Sequence, residues 1–325
     1  MCKEIGIRCL AAMALGMVAA VGSALSQSGF PVKPIRFVVG YPPGGPTDIV
    51  SRELSRPLAE ALGQPVVVDN RAGAAGTVGN DIAAKAAPDG HTLVLATSTM
   101  PIQETMLTTL PYNTLRDFTI VGAIASGPLV LVVPPSLQVT SVRELIAMAK
   151  QNPGGLSYAS PSSGSANHLA AELLKTQAGI DVVHVPYKGG APAEIDLIGG
   201  RVQFMFHTIA AALPKVKSGQ LRAVGVTSAK RSPLLPEVAT VGETVPGFEA
   251  ITWYGVLAPA GLPPEVTQRL NAEINKALLN PAFRERLAGL GMEPMPGTPT
   301  QFSEFYKAET LKWGRIVKSS GAKPD

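Results

Sequence analysis

Cysteine is almost missing from this chain: the 325 residues hold two, Cys2 and Cys9, both within the first ten. That excludes a disulfide scaffold and leaves no thiolate for nucleophilic or zinc chemistry in the body of the protein. Histidine is also scarce. The four, at positions 91, 168, 184 and 207, show no metal-ligand spacing, so neither a metal nor another cofactor is expected. Aromatic residues make up 5% of the chain, too few for a sugar pocket of stacked rings. Charge is low at 16%, and Lys plus Arg exceed Asp plus Glu only by 28 to 24, with no run of five like charges. The small basic excess is diffuse, which argues against a nucleic-acid partner. Nucleotide fingerprints are absent too: there is no GxxxxGK[ST], and in VVVDNRAGAAGTVG (66–79) Ala75 stands where a middle glycine would help.

What is present begins with a leader. Lys3 and Arg8 precede an uncharged, Ala-rich run over 10–25, and Ala24-Leu25-Ser26 offers small residues for cleavage before Gln27. The apolar part falls short of the ~20 residues a spanning helix needs. The sequence therefore predicts a signal peptide over 1–26 and export to a bacterial periplasm. Cleavage there removes both cysteines, and no cysteine follows the apolar run to receive a lipid.

The remainder is rich in turn formers, with 33 Gly and 29 Pro, and 46% of the chain is hydrophobic. Short runs rich in Val, Leu and Ile, at 35–39, 65–69, 92–96, 129–133, 156–160, 182–185, 202–206 and 221–227, read as buried strands with helices between most of them. This alternation predicts an α/β protein with parallel sheets covered on both faces. Two helices close the chain. One starts at Pro263-Pro264 and carries Val266, Leu270, Ile274 and Leu278; the other carries Phe302, Phe305, Tyr306, Trp313, Ile316 and Val317. Both read as scaffold packing by an apolar stripe. Candidate domain joints are 126–128 and the Pro/Gly/Thr-rich stretch 230–249. A chain that leaves one lobe at the first joint and returns at the second gives a two-lobed protein, with lobe 1 at 27–128 plus 250–325 and lobe 2 at 129–249. The sequence permits this return without requiring it.

Chemistry concentrates in two strand-to-helix loops. In FVVGYPPGGPTDIVSREL (37–54), glycines let the backbone approach a ligand, and the unpaired N–H groups of the following helix favour an anion. No Lys or Arg lies between Phe37 and Val50, which suits a carboxylate held by amides and hydroxyls. LSYASPSSGSANHLAAELL (156–174) repeats the plan with hydroxyls from Ser160, Ser162, Ser163 and Ser165, with Gly164 and with His168. The polar strand end Thr97-Ser98-Thr99 lies at the sheet edge where open α/β sheets bind ligands. Ser163 or Ser165 with His168 suggests a nucleophile and base, but there is no GxSxG elbow, and hydroxyls ahead of a helix are commonly caps.

The segments YPPGGPTDIVSREL (41–54), LGQPVVVDNRAGAAGTVGNDIAAKAAPDGHTLVLATST (62–99), YASPSSGSANHLAAELL (158–174), VPYKGGAPAEIDLIGGRVQFMF (185–206) and WYGVLAPAGLPPEVTQRLNAEI (253–274) follow one another in a known order. In them the sequence resembles the Bug or TctC-like substrate-binding receptors of tripartite tricarboxylate transporters. The resemblance implies a type II periplasmic binding-protein fold, with two lobes joined by a crossing strand pair that allows hinge closure. It implies a small carboxylate held without an ion pair by Tyr41, Gly44, Gly45, Thr47 and Asp48 from one lobe and Ser160, Ser163, Gly164, Ser165 and His168 from the other. Ser98, Thr99, Tyr187 and Gly189 are then expected to line the rest of the cleft. His207 stands where the family often has an acidic residue, and so joins the candidate ligand contacts. His91 replaces a commoner Tyr and reads as a surface substitution, while Lys188 faces solvent or a second carboxylate.

The function so implied is a periplasmic, non-enzymatic, monomeric receptor that captures a mono-, di- or tricarboxylate, aromatic and amino acids included, and delivers it to tripartite transporter subunits in the membrane. The alternatives are a ligand-sensing partner of a sensor kinase and, more remotely, an exported serine hydrolase.

Overall fold

The computed structural model describes residues 29–323; the leader read at 1–26, with both cysteines, lies outside the described residues. From Ile35 the chain alternates strand and helix: β1 (Ile35–Val39), α1 (Pro46–Leu62), β2 (Val66–Asn70), a 3-10 turn (Ala74–Gly76), α2 (Thr77–Ala84), β3 (Thr92–Thr97) and α3 (Thr99–Met106). A short helix α4 (Thr114–Asp117) leads into β4 (Phe118–Val133), followed by α5 (Val142–Gln151), β5 (Ser157–Ser160), α6 (Ala166–Ala178), β6 (Val183–Pro186), α7 (Gly190–Ile198), β7 (Phe204–Thr208), α8 (Ile209–Lys217) and β8 (Arg222–Val226). The chain returns through β9 (Ile251–Pro259), α9 (Pro264–Leu279), α10 (Pro281–Gly289), β10 (Glu293–Pro294) and α11 (Pro299–Ser320).

The strands form one curled sheet in the order β2-β1-β3-β9-β4-β7-β5-β6, with β8 and β10 also pairing with β4. β1, β2 and β3 are mutually parallel, as are β5, β6 and β7, which matches the βαβ pattern of the sequence. The expectation of wholly parallel sheets is corrected at the centre. There β9 runs antiparallel to both β3 and β4, and β4 antiparallel to β7 and β8.

The stretch 126–128, read as a candidate domain joint, lies inside β4. Ser126, Gly127 and Pro128 pair with Trp253, Thr252 and Ile251 of β9, and Leu129 then pairs with Thr208 of β7. β4 therefore changes partners without leaving the extended conformation, and Pro128, which has no N–H to offer a ladder, sits at the changeover. The same strand serves both lobes. Upstream of the changeover it belongs with β1, β2, β3, β9 and β10, and downstream with β5 to β8.

Both closing helices bury the stripes read from the sequence. α9 packs Val266, Leu270, Ile274 and Leu278 among Phe37, Leu54 and Leu93 of the first lobe. α11 is divided: Phe302 and Tyr306 pack with Trp253 in the first lobe, whereas Trp313, Ile316 and Val317 pack with Leu169 and Leu173 of α6 in the second. His91 is buried, not on the surface. Its Nε2 accepts from the Val32 N–H at 3.2 Å, and its ring meets Phe30 edge-on at 5.1 Å.

Candidate functional site

In each lobe the helices leave from the C-terminal ends of parallel strands, so those ends carry the loops and the helix N-termini. The two edges meet at the crossing. Thr97 at the end of β3 pairs with Tyr254, which pairs in turn with Ala125, and Thr208 at the end of β7 pairs with Leu129. Both loop-bearing edges therefore border residues 125–129 of β4. α1, α2 and α3 of the first lobe and α6, α7 and α8 of the second all begin there, and each contributes the partial positive charge of its unpaired amides.

The first-lobe half is built around Tyr41. Its hydroxyl donates to the Ala75 carbonyl at 3.1 Å and lies 3.3 Å from Thr97 Oγ1. Gly40 approaches the 71–79 loop so closely that a Cβ on it would stand 2.7 Å from the Cα and the carbonyl oxygen of Gly76, and one on Gly79 would stand 2.8 Å from Gly40 Cα. Gly76 and Gly79 thus serve loop-to-loop packing, a role the sequence did not disclose. Ala74 and Ala75 both take positive φ (45° and 50°), a conformation that costs a non-glycine residue roughly 1–3 kcal/mol. It is held by the Gln103 amide, which donates to both of their carbonyls at 3.2 Å. Buried Gln103 was not singled out from sequence, because a residue of this type carries no motif until the fold brings it to the 74–76 turn.

Asp48 braces this loop. One oxygen accepts from the Gly44 N–H at 3.0 Å and from Arg52 Nε at 2.9 Å, and the other accepts from Asn70 Nδ2 at 3.0 Å. Desolvation pulls its carboxyl upward, but the bonds from Arg52, Gly44 and Asn70 outweigh it and hold the group below the usual carboxylate range. Arg52 is therefore spent on Asp48. Gly44, at φ 83°, is exposed, and Gly45 and Thr47 are half-buried at the start of α1. Ser98 is turned away from solvent: its N–H donates to the Trp253 carbonyl and its hydroxyl lies 3.3 Å from that of Thr252. Thr99 is buried beside it, its N–H directed at Thr97 Oγ1.

In the second lobe Ser165 caps α6, accepting the His168 N–H at 3.2 Å and donating to the Ser162 carbonyl at 2.8 Å. The ring of His168 turns back, so that Nδ1 accepts the Gly164 N–H at 3.0 Å. Burial first, and the neighbouring His184 and Lys175 next, push its pKa down to about 3, so it is neutral. Gly164 has φ 73°, and a Cβ there would lie 3.0 Å from Met106 Sδ, which puts the second loop against α3 of the other lobe. Ser163 is half-buried on the same turn. The loop 187–190 is tied in alongside: the Tyr187 N–H donates to the Ser160 carbonyl and the Gly189 N–H to that of Pro161. The Tyr187 hydroxyl is taken up by Asp196 at 2.8 Å, and Lys188 is exposed. His207 closes the edge, its Nδ1 accepting the Thr208 N–H and its Nε2 lying 3.3 Å from Glu194, whose carboxyl His207 and Lys215 hold down. The acid missing at position 207 is thus supplied from α7.

The structure accordingly divides the candidates. Gly45 and Thr47 lie half-buried at the start of α1 and Ser163 half-buried on the second loop, whereas the N–H groups of Gly44, Gly164 and Gly189 bond to Asp48, His168 and Pro161. The side chains of Asp48, Ser98, Ser165, His168, Tyr187 and His207 are committed to holding those loops. Ser165 Oγ accepts the backbone N–H of His168 and donates to the Ser162 carbonyl, and Ser160, which meets His184, is fully buried.

Comparison with known proteins places this architecture. The description "Tripartite tricarboxylate transporter family receptor" matches residues 50–322. Protein BugT of Bordetella pertussis is 40% identical over 308 residues, spanning 94% of each chain. Among solved structures, R. palustris Rpa4515 with adipate superposes with a TM-score of 0.85 at 36% identity, covering 91% of this chain and all of that one. MatC from Rhodopseudomonas palustris with bound malate gives 0.80 at 30% identity, covering 89% and all of the two chains.

Proposed function

Because this chain belongs to the receptor family of the tripartite tricarboxylate transporters and has the two-lobed fold of its periplasmic binding proteins, we propose that it captures a small carboxylate between its lobes and hands it to a membrane transporter of that type. The observation that carries the carboxylate is electrostatic. Six helices begin at the loop-bearing edges of the two halves of the sheet, and Arg52 and Arg71 beside the first loop are paired with Asp48 and Asp69. Amides and hydroxyls stabilise a compact anion without a cationic side chain. The adipate and malate in the related structures are carboxylates of the kind expected.

In this reading the leader at 1–26 is cleaved before Gln27, and the lobes comprise 27–128 with 250–325 and 129–249. The loops at 41–48 and 160–168 grip the carboxylate, with the 97–99 edge, the 187–189 loop and His207 bordering the cleft. Ligand bound to both loops favours the closed state by the extra contacts that state makes, and the transporter reads that closure.

A thermal-shift series tests this. Aliphatic dicarboxylates such as adipate and malate raise the melting temperature, and the matching diamides leave it unchanged; equal shifts for both would rule out carboxylate recognition. Gly45→Val adds the local control. A Cβ at position 45 has nothing nearer than the Pro42 carbonyl at 3.9 Å, so the variant folds while its side chain obstructs the loop. Affinity is expected to fall about tenfold or more, with the unliganded melting temperature preserved.

A further inference from the structure

The amides of the 160–165 loop are useful to a ligand only if the loop is rigid, and its support comes from a neighbouring strand. Behind it stands a column of four rings. Phe204 of β7 stacks on Tyr158 of β5 at 5.4 Å, Tyr158 on His184 of β6 at 4.9 Å, and His184 on His168 of α6 at 3.9 Å with an interplanar angle of 6°. Both imidazoles reach forward to the loop. His168 Nδ1 accepts the Gly164 N–H, and His184 Nε2 lies 2.7 Å from Ser160 Oγ.

Hydrogen-bond counting fixes the protons. Ser160 Oγ also lies 3.0 Å from the Ser162 carbonyl, which can only accept. The hydroxyl has one hydrogen. Both bonds form together only if that hydrogen goes to Ser162 and His184 donates from Nε2. In the same way the Gly164 N–H requires a bare Nδ1 on His168, so neutral His168 also carries its hydrogen on Nε2. A second proton on His168 would set donor against donor at Gly164 and a cation against the face of His184.

We propose that His184 is a positioning residue of the ligand site: with His168 it forms a pair of stacked, neutral, Nε2-protonated imidazoles on which the 160–165 loop is mounted. This rests on the carboxylate reading above and deepens it. The groups facing the pair agree with neutrality. Tyr158 keeps its proton, pushed up by burial and then by Glu172, whose carboxylate accepts its hydroxyl at 2.5 Å. Glu172 also faces Lys175 at 4.0 Å, and that ammonium opposes any charge on His168. The Tyr158 hydroxyl and the Lys175 ammonium thus share one oxygen of Glu172 beside the stack, which offsets that carboxylate where it lies nearest the rings.

The test combines spectra with binding. Long-range nitrogen–proton spectra of the full chain, free of ligand at pH 7, are tractable with four histidines, each assigned through a single-residue variant. His168 and His184 should both be neutral with hydrogen on Nε2; hydrogen on Nδ1 of either, or on both nitrogens, overturns the proposal. In parallel, adipate affinity is measured by calorimetry for the wild type, His184→Leu and His184→Gln. Glutamine places an amide N–H at about the reach of Nε2; leucine cannot donate. The leucine variant should bind about tenfold more weakly and glutamine should recover most of that loss. Equal weakening in both, or none in either, overturns it. Wild-type affinity should also be flat from pH 8 to 6, whereas a loop resting on a histidine with the ordinary pKa near 6.5 would lose about fourfold. Because the spectra are read on the free protein, they decide the proton placement even if adipate fails to bind, a failure that would count against the ligand reading instead.

Discussion

At the scale of single residues, many of the side chains chosen for chemistry bond to the loops that carry them. His168 shows why type and position were not enough. A histidine in the first turn of a helix, after a serine-rich loop, reads as an anion contact. Whether its ring faces the cleft or the interior depends on what lies behind it, and Tyr158 and His184 come from two other strands. The burial has a consequence for stability. With a folded pKa of about 3 against the ordinary 6.5, His168 refuses a proton that the unfolded chain accepts. Its contribution is complete above pH 6.5 and lost as pH falls toward 3, about 2 kcal/mol of it between pH 7 and 5. Urea unfolding at those two values should show the wild type losing about that much more than His168→Asn. Equal losses would mean that the ring protonates freely within the fold.

At the scale of elements, most helices and the parallel strands were legible, because short β-branched runs and four-residue apolar spacing are local signals. β9 and the first half of β4 were not. The run 251–259, with Trp253 and Gly255, and the run 118–128, with Ser126, Gly127 and Pro128, look like loop sequence. They become strands because each supplies the other's ladder partners over nine paired positions. α11 was legible as a helix but not in its double allegiance. Both tryptophans of the chain, Trp253 in β9 and Trp313 in α11, donate to the same oxygen of buried Glu309, at 3.1 and 2.7 Å, and Lys312 balances the other oxygen. Glu309→Leu would leave two buried indole N–H groups without a partner, at a cost of about 2–5 kcal/mol. Glu309→Gln, which keeps an acceptor, should cost clearly less. A chemical-denaturation series ranks the two, and equal costs would show that packing of the stem, not the carbonyl oxygen, is what matters.

At the scale of the whole molecule, two lobes share β4 and α11. Closure must therefore bend strands at the changeover near Gly127–Pro128, where a Cβ on Gly127 would already stand 2.6 Å from the Gly291 carbonyl. Bending there moves α11 against the second lobe and disturbs the pair of tryptophans around Glu309. Saturating ligand is thus expected to lower the radius of gyration in X-ray scattering and to shift tryptophan emission at the same ligand concentration. Binding with neither change would remove closure from the mechanism. The match over residues 50–322 agrees with a resemblance visible in the sequence, whose motifs are runs of contiguous residues and survive without a fold.

The sequence by itself determined the α/β class, the two glycine- and serine-rich loops, and the family. Each is written in local pattern: strand and helix periodicity, turn residues, and contiguous motifs. Only the tertiary structure decided that β4 carries the crossing, that Gly40, Gly76 and Gly79 pack one loop on another, and that Asp48 and His168 hold loops in place. These are properties of groups far apart in the chain. A side chain's partners, and through them its charge and direction, are set when distant strands are brought side by side.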